Sequence, residues 1–141
     1  RMKKIFNLII ISSLAFLIAC SSAALKQNEI PNWLSEISSG EDPEIDISGE
    51  WYDAEGNFMF GWGEGYLSQN GNNVSGAIGN YLVEGRVSGK KVYLVFLSGG
   101  NVYYTAMLEM FENGMLKGSY FDADDREQSG GYPTSLARKK D

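Results

Sequence analysis

The chain contains no histidine, one cysteine (Cys20) and three prolines among 141 residues. Without histidine it lacks the commonest general base and the commonest metal ligand. A lone cysteine excludes an internal disulfide. Positive charge is scarce too: 12 Lys and Arg stand against 18 Asp and Glu, a net charge of −6. Three of the basic residues, Arg1, Lys3 and Lys4, sit in the leading segment, so the remainder is more acidic still. It carries no basic stripe, which excludes nucleic acid as a partner. No serine stands in an activating context, and no sequence feature places paired carboxylates such as Asp53 and Glu55 in a common pocket. The chain is therefore expected not to be an enzyme, with no catalytic residue, metal ligand or cofactor assigned.

Long apolar runs are also missing. The most hydrophobic stretch, Ile5 to Ala19, falls short of the ~20 residues that a bilayer-spanning helix needs. It follows Met2-Lys3-Lys4 and ends in small residues, the layout of a secretory signal peptide. Leu17-Ile18-Ala19-Cys20 resembles the lipobox of bacterial lipoproteins, in which a small residue precedes the modified cysteine. The resemblance implies removal of residues 1–19, thioether attachment of diacylglyceryl to Cys20, and acylation of the new amino terminus. Two or more acyl chains anchor stably where one does not. By the same resemblance, Ser21 and Ser22 point to the outer membrane, with the protein facing the periplasm.

Residues 20–46 read as a lipidated acidic tether, loosest at Ser38-Ser39-Gly40-Glu41-Asp42-Pro43. Within it, residues 30–37 suit one or two helical turns. Trp33 and Ile37 lie four apart and share a face, which docks on the domain or dips into the headgroups. From residue 47 to 141 the pattern changes. All 17 glycines lie between positions 40 and 131, interleaved with aromatics. Turn signals such as Asn70-Gly71-Asn72, Gly99-Gly100-Asn101 and Asn113-Gly114 separate short runs rich in Val, Tyr, Phe and Leu. Strands are predicted at 47–53, 58–68, 73–79, 81–87, 90–98, 102–111, 115–122 and 133–139. Short connections favour sequential antiparallel pairing, and edges that need covering favour an eight-stranded antiparallel up-and-down barrel.

Gly49-Glu50-Trp51 opens the first predicted strand and Leu136-Ala137-Arg138 lies in the last. This resembles the calycin arrangement of lipocalins, fatty-acid-binding proteins and avidins. The resemblance implies that Trp51 plugs one end of the barrel beneath Arg138, a structural pair.

Three further stretches invite a functional reading. In Gly61-Trp62-Gly63-Glu64-Gly65-Tyr66 the glycines alternate with bulkier residues, so Phe58, Phe60, Trp62 and Tyr66 share a strand face. That pattern fits a strongly bent strand, and it offers Trp62 and Tyr66 as a candidate ligand wall. The acidic run Asp122 to Glu127 places Arg126 where a calcium loop needs an oxygen, and reads as a solvated loop. Finally, Val92 to Leu97 is apolar on both faces. If one face fills the core, Tyr93, Val95, Leu97, Tyr103 and Met107 form an outward patch, a candidate interface unless Trp33 and Ile37 cover it.

The sequence thus indicates an envelope lipoprotein, bound to the membrane through Cys20, whose small barrel takes up a small apolar ligand. The alternative is an envelope interaction protein or periplasmic enzyme inhibitor with a filled barrel.

Overall fold

The computed structural model describes residues 23–54 and 62–140. Eight strands form a closed antiparallel up-and-down barrel: β1 (Gly49–Asp53), β2 (Glu64–Asn70), β3 (Asn73–Ile78), β4 (Tyr81–Ser88), β5 (Lys91–Ser98), β6 (Asn101–Met110), β7 (Leu116–Asp122) and β8 (Tyr132–Arg138). Each strand pairs with its sequence neighbours, and β1 pairs with β8 to close the ring, Trp51 lying opposite Arg138. The architecture is compatible with a lipocalin-like fold. The predicted strands 58–68 and 47–53 differ most at their starts, β2 beginning at Glu64 and β1 at Gly49. Trp62 and Gly63 precede β2, and Phe58 and Phe60 lie outside the described residues.

Alternation along the strands sends one set of side chains inward. Trp51, Leu67, Val74, Ile78, Val83, Val87, Val92, Leu94, Phe96, Leu108, Leu116 and Leu136 belong to one continuous core filling the barrel. Closure at this small radius brings backbones too close for a side chain at some positions. A Cβ at Gly65 would collide with the Ala77 carbonyl oxygen, and one at Gly118 with that of Met107. Glycine is required there for close approach rather than for an unusual φ.

The barrel has two unlike ends. The turns at 71–72, 89–90 and 111–115 lie at one end, the floor. The turns at 79–80 and 99–100, the longer connection 123–131, the end of β1 and the start of β2 lie at the other, the mouth. Trp51 closes the floor, fully buried, its Nε1 donating to the Ile47 carbonyl at 2.8 Å. The Arg138 guanidinium covers the indole, 4.6 Å from the ring centroid. It also donates to the carbonyls of Ser48 (2.8 Å) and Asp46. Gln69 secures the segment entering β1, accepting from the Ile47 amide and donating to the Ile45 carbonyl.

Residues 23–46, expected to form a loose tether, are folded onto the outside of the barrel. Helix α1 (Ile30–Ile37) carries Pro31 in its first turn, where the missing N–H costs nothing. Ile30, Trp33, Leu34 and Ile37 then fall on one face at helical spacing. The helix stops where Ser38 turns extended and its Oγ donates to the Leu34 carbonyl at 2.6 Å. Its apolar face packs with Tyr93, Val95, Leu97 and Val102 in a second core outside the barrel wall. Burying each large apolar side chain there contributes about 1.5–3 kcal/mol, more than an eight-residue helix could supply alone. Both ends of the strap are tied. Near the mouth, the Leu25 amide donates to the Ala123 carbonyl, and Lys26 bridges to Asn101. Near the floor, Glu44 and Gly89 join through their backbones.

Replacing Gly118 by Ala is expected to destabilise the barrel by about 1–3 kcal/mol through overpacking against backbone that cannot yield. Urea unfolding followed by far-ultraviolet circular dichroism checks this; an unchanged midpoint would show that the wall can relax.

Candidate functional site

The aromatic residues are concentrated at the mouth. Trp62 sits inside it, 5% exposed, with its indole stacked on Phe96 at 4.1 Å between centroids and 14° between planes. Tyr81, Tyr104 and Tyr120 approach Trp62 edge-on, with centroids 5.8, 5.2 and 5.2 Å away. A positive ring edge against a π face is a favourable aromatic geometry, so the cluster is fixed by more than area. An outer pair flanks it. Tyr103 packs against Tyr81 (6.1 Å) and Tyr132 against Tyr120 (5.2 Å), each about half exposed.

Polar anchors hold Trp62 in place. Its amide donates to Asp53 Oδ2 at 2.9 Å and its Nε1 donates to the buried Thr134 hydroxyl at 3.0 Å. The backbone leaves no slack either, because a Cβ at Gly79 would strike the Trp62 carbonyl oxygen. Burial raises the pKa of Tyr81 above its ordinary value, with the neighbouring phenols Tyr104 and Tyr103 adding to the shift. Tyr120 is raised in the same way, first by burial and then by Tyr104, Tyr132 and the acidic Asp122 and Asp53. The mouth therefore presents neutral phenols on an apolar bed, bordered by carboxylates. Such a surface can stack on rings, receive apolar groups or cradle an organic cation. Among the described residues no group of three or more His, Cys, Asp or Glu side chains could hold a metal.

The expected ligand wall divides. Trp62 points into the barrel, whereas Tyr66 points out and is 55% exposed. Strict alternation would put both on one face. Gly63, with φ of +87°, breaks the alternation between them, after which Gly65 and Leu67 take the inward positions. On the outside Tyr66 lies in a cross-strand row with Ala77 and Leu82, all exposed.

The expected interface is largely occupied by the chain itself. Tyr93, Val95 and Leu97 are buried beneath α1, and Met107 packs partly buried beside them. Trp33 helps cover this face, its Nε1 donating to the Arg126 carbonyl at 2.9 Å. Tyr103 does not belong to that face. The β5–β6 register shifts between Phe96 and Leu97, so Leu97 pairs with Val102 while Phe96 pairs with Tyr104. This bulge turns Val102 outward beneath the strap and leaves Tyr103 at the mouth, 48% exposed. The Trp51–Arg138 pair lies at the floor as described above, and Cys20 lies outside the described residues.

Sequence reasoning missed two contributors. Tyr81, Tyr104 and Tyr120 read as ordinary strand aromatics, although all three lie within three residues of a mouth-side strand end, which was the available signal. In the sequence Arg126 stands out only as an obstacle to calcium. It pairs with Glu29 at 2.8 Å and donates to the carbonyls of Ala23 and Ala24. Asp125 of the same loop accepts from the Ser129 and Gly130 amides, which lowers its pKa.

No protein-family model, curated protein or solved structure matches this chain.

Two outcomes test this arrangement. Trp62→Ala is expected to cost about 3–5 kcal/mol, since it removes a buried ring with full partners on every side. A loss below 1 kcal/mol in urea unfolding would mean that the mouth is loosely packed. Tyr81 and Tyr120 have folded pKa values raised above the ordinary 10.0. Their contribution to stability is thus fully present below about pH 10 and lost as pH rises through the folded values. Tyr81→Phe/Tyr120→Phe, compared with the parent in urea unfolding from neutral to strongly alkaline pH, should lose less stability over that range. Parallel curves would contradict the assignment.

Proposed function

We propose that this protein is a non-enzymatic envelope lipoprotein, anchored through acylated Cys20, whose barrel binds a small apolar ligand at its aromatic mouth. The observation that carries this reading is the ring cluster around Trp62, a fixed π surface at the end opposite the Arg138-covered floor. An eight-stranded barrel has room only for side chains or one small ligand. Here side chains fill the interior from Trp51 upward, so binding belongs at the mouth and not in a deep cavity. The edge-on tyrosines supply apolar walls with polar tips, which suits a ligand that is apolar at one end. The lipobox-like Leu17-Ile18-Ala19-Cys20 supports the anchor, and the outer membrane is the proposed location.

The filled interior also favours a second reading, an envelope interaction protein or enzyme inhibitor. The exposed Tyr66–Ala77–Leu82 row would then be its contact surface.

Native mass spectrometry of freshly purified protein, with titration of a fluorescent naphthylamine probe, separates the two. Saturable probe binding that Tyr104→Ala abolishes and Leu82→Ser leaves intact is the expected result. Absence of both a retained molecule and probe binding would remove the ligand reading. Cys20→Ser should move the protein from the membrane fraction to the soluble fraction.

A further inference from the structure

We infer that the barrel stands mouth-down on the membrane, with its tyrosine rim against a zwitterionic headgroup layer. The inference rests on the acylation of Cys20 proposed above and adds an orientation, a neighbour and a headgroup chemistry to it. The first described residues are tied to the mouth. Ala23 and Ala24 are already fixed, their carbonyls accepting from Arg126 Nε (2.8 Å) and Nη2 (3.2 Å). Arg126 is itself locked to Glu29 by two charge-assisted bonds of 2.8 and 3.0 Å. The Leu25 amide then donates to the Ala123 carbonyl at 2.9 Å, and Lys26 bridges to Asn101. Ala123, Arg126 and Asn101 all belong to connections or strand ends at the mouth.

Cys20 stands three residues before Ala23. Even a fully extended chain spans no more than about 11 Å over that interval. An acyl group on Cys20 therefore holds the mouth within about 11 Å of the lipid surface. The floor turns lie one strand length away, about 20 Å farther along the axis for strands tilted as in small barrels. The polar run that read as a long tether cannot relax this, because residues 23–46 are strapped to the wall, running from the mouth down to the floor.

The chemistry of the rim fits this placement. Tyr103 and Tyr132 are half exposed beside Tyr81 and Tyr120, and phenol rings favour the boundary between water and hydrocarbon. Asp122, Asp124 and Glu127 stand exposed on the same end. Carboxylates beside aromatic faces suit the primary ammonium of phosphatidylethanolamine and disfavour anionic headgroups. A ligand entering the mouth then arrives from the membrane side.

The test uses the acylated full chain in phosphatidylethanolamine–phosphatidylcholine vesicles carrying a headgroup-nitroxide lipid. Tyr132→Cys at the mouth and Glu112→Cys at the floor are labelled separately with one fluorophore, and Tyr103→Cys serves as a second mouth position. Quenching is expected to be several-fold stronger at either mouth position than at the floor, and weaker at the mouth when phosphatidylglycerol replaces the zwitterionic lipids. A Gly-Ser insert of about a dozen residues after Ser22, which adds ~20 Å of mean reach, should bring the two ends close to equality. Equal quenching without the insert, or stronger quenching at the floor, would overturn the orientation while leaving the lipoprotein reading intact. Stronger mouth quenching with phosphatidylglycerol would overturn the headgroup assignment. An unmodified Cys20 in the intact mass would remove the lipoprotein reading and the orientation with it.

Discussion

Two buried indoles at opposite ends of one small barrel set the terms for the rest of the structure. Trp51 fills the floor and Trp62 the mouth, and each satisfies its single N–H, one on the Ile47 carbonyl and one on Thr134. A buried indole without an acceptor would lose much of what its area gains, so both positions depend on the elements that bring those oxygens near. At the floor this explains why the segment before β1 is pinned by Gln69 and Arg138. At the mouth it explains the tight backbone around Gly63 and Gly79, which leaves the indole no alternative seat. The aliphatic core between them needs only the right volume.

Much of the barrel was legible because its signals are local. Asn-Gly and Gly-Gly turns marked the hairpins, and the short runs of Val, Tyr, Phe and Leu between them marked the strands. The Trp51–Arg138 geometry followed from a resemblance rather than from spacing, since nothing local joins residues so far apart in sequence. Two errors share one cause, a break in alternation that composition does not reveal. Gly63 adopts positive φ and separates Trp62 from Tyr66. The bulge in β6 turns Val102 outward and leaves Tyr103 at the mouth, although no glycine or proline marks it. Period-two reasoning holds only between such breaks.

Docking of Trp33 and Ile37 on the barrel was legible from their helical spacing; the full length of chain that follows them onto the wall was not. Its residues are polar on average, and average polarity predicts solvation. What decided the outcome was the doubly apolar β5, which needed a cover outside the wall as well as neighbours inside. Ile30, Trp33, Leu34 and Ile37 supply that cover from eight residues. The two features are complementary, and each alone would leave a large apolar surface in water. Arg126 then joins the cover to the β7–β8 connection, which makes an apparently acidic loop a structural hub.

The pairing of β1 with β8 has a kinetic side. Trp51 meets Arg138 across the seam, so the ring cannot close until the final strand is available. A chain synthesised amino terminus first has α1, β5 and β6 in hand well before that moment. The strap can therefore seat on the outer wall while the barrel is still an open sheet, shielding the doubly apolar strands during the wait. Closure is the long-range and slow event, delayed by the entropy of joining distant strands. Until then the two unpaired edges would be exposed to other chains, and the seam is where aggregation competes with folding.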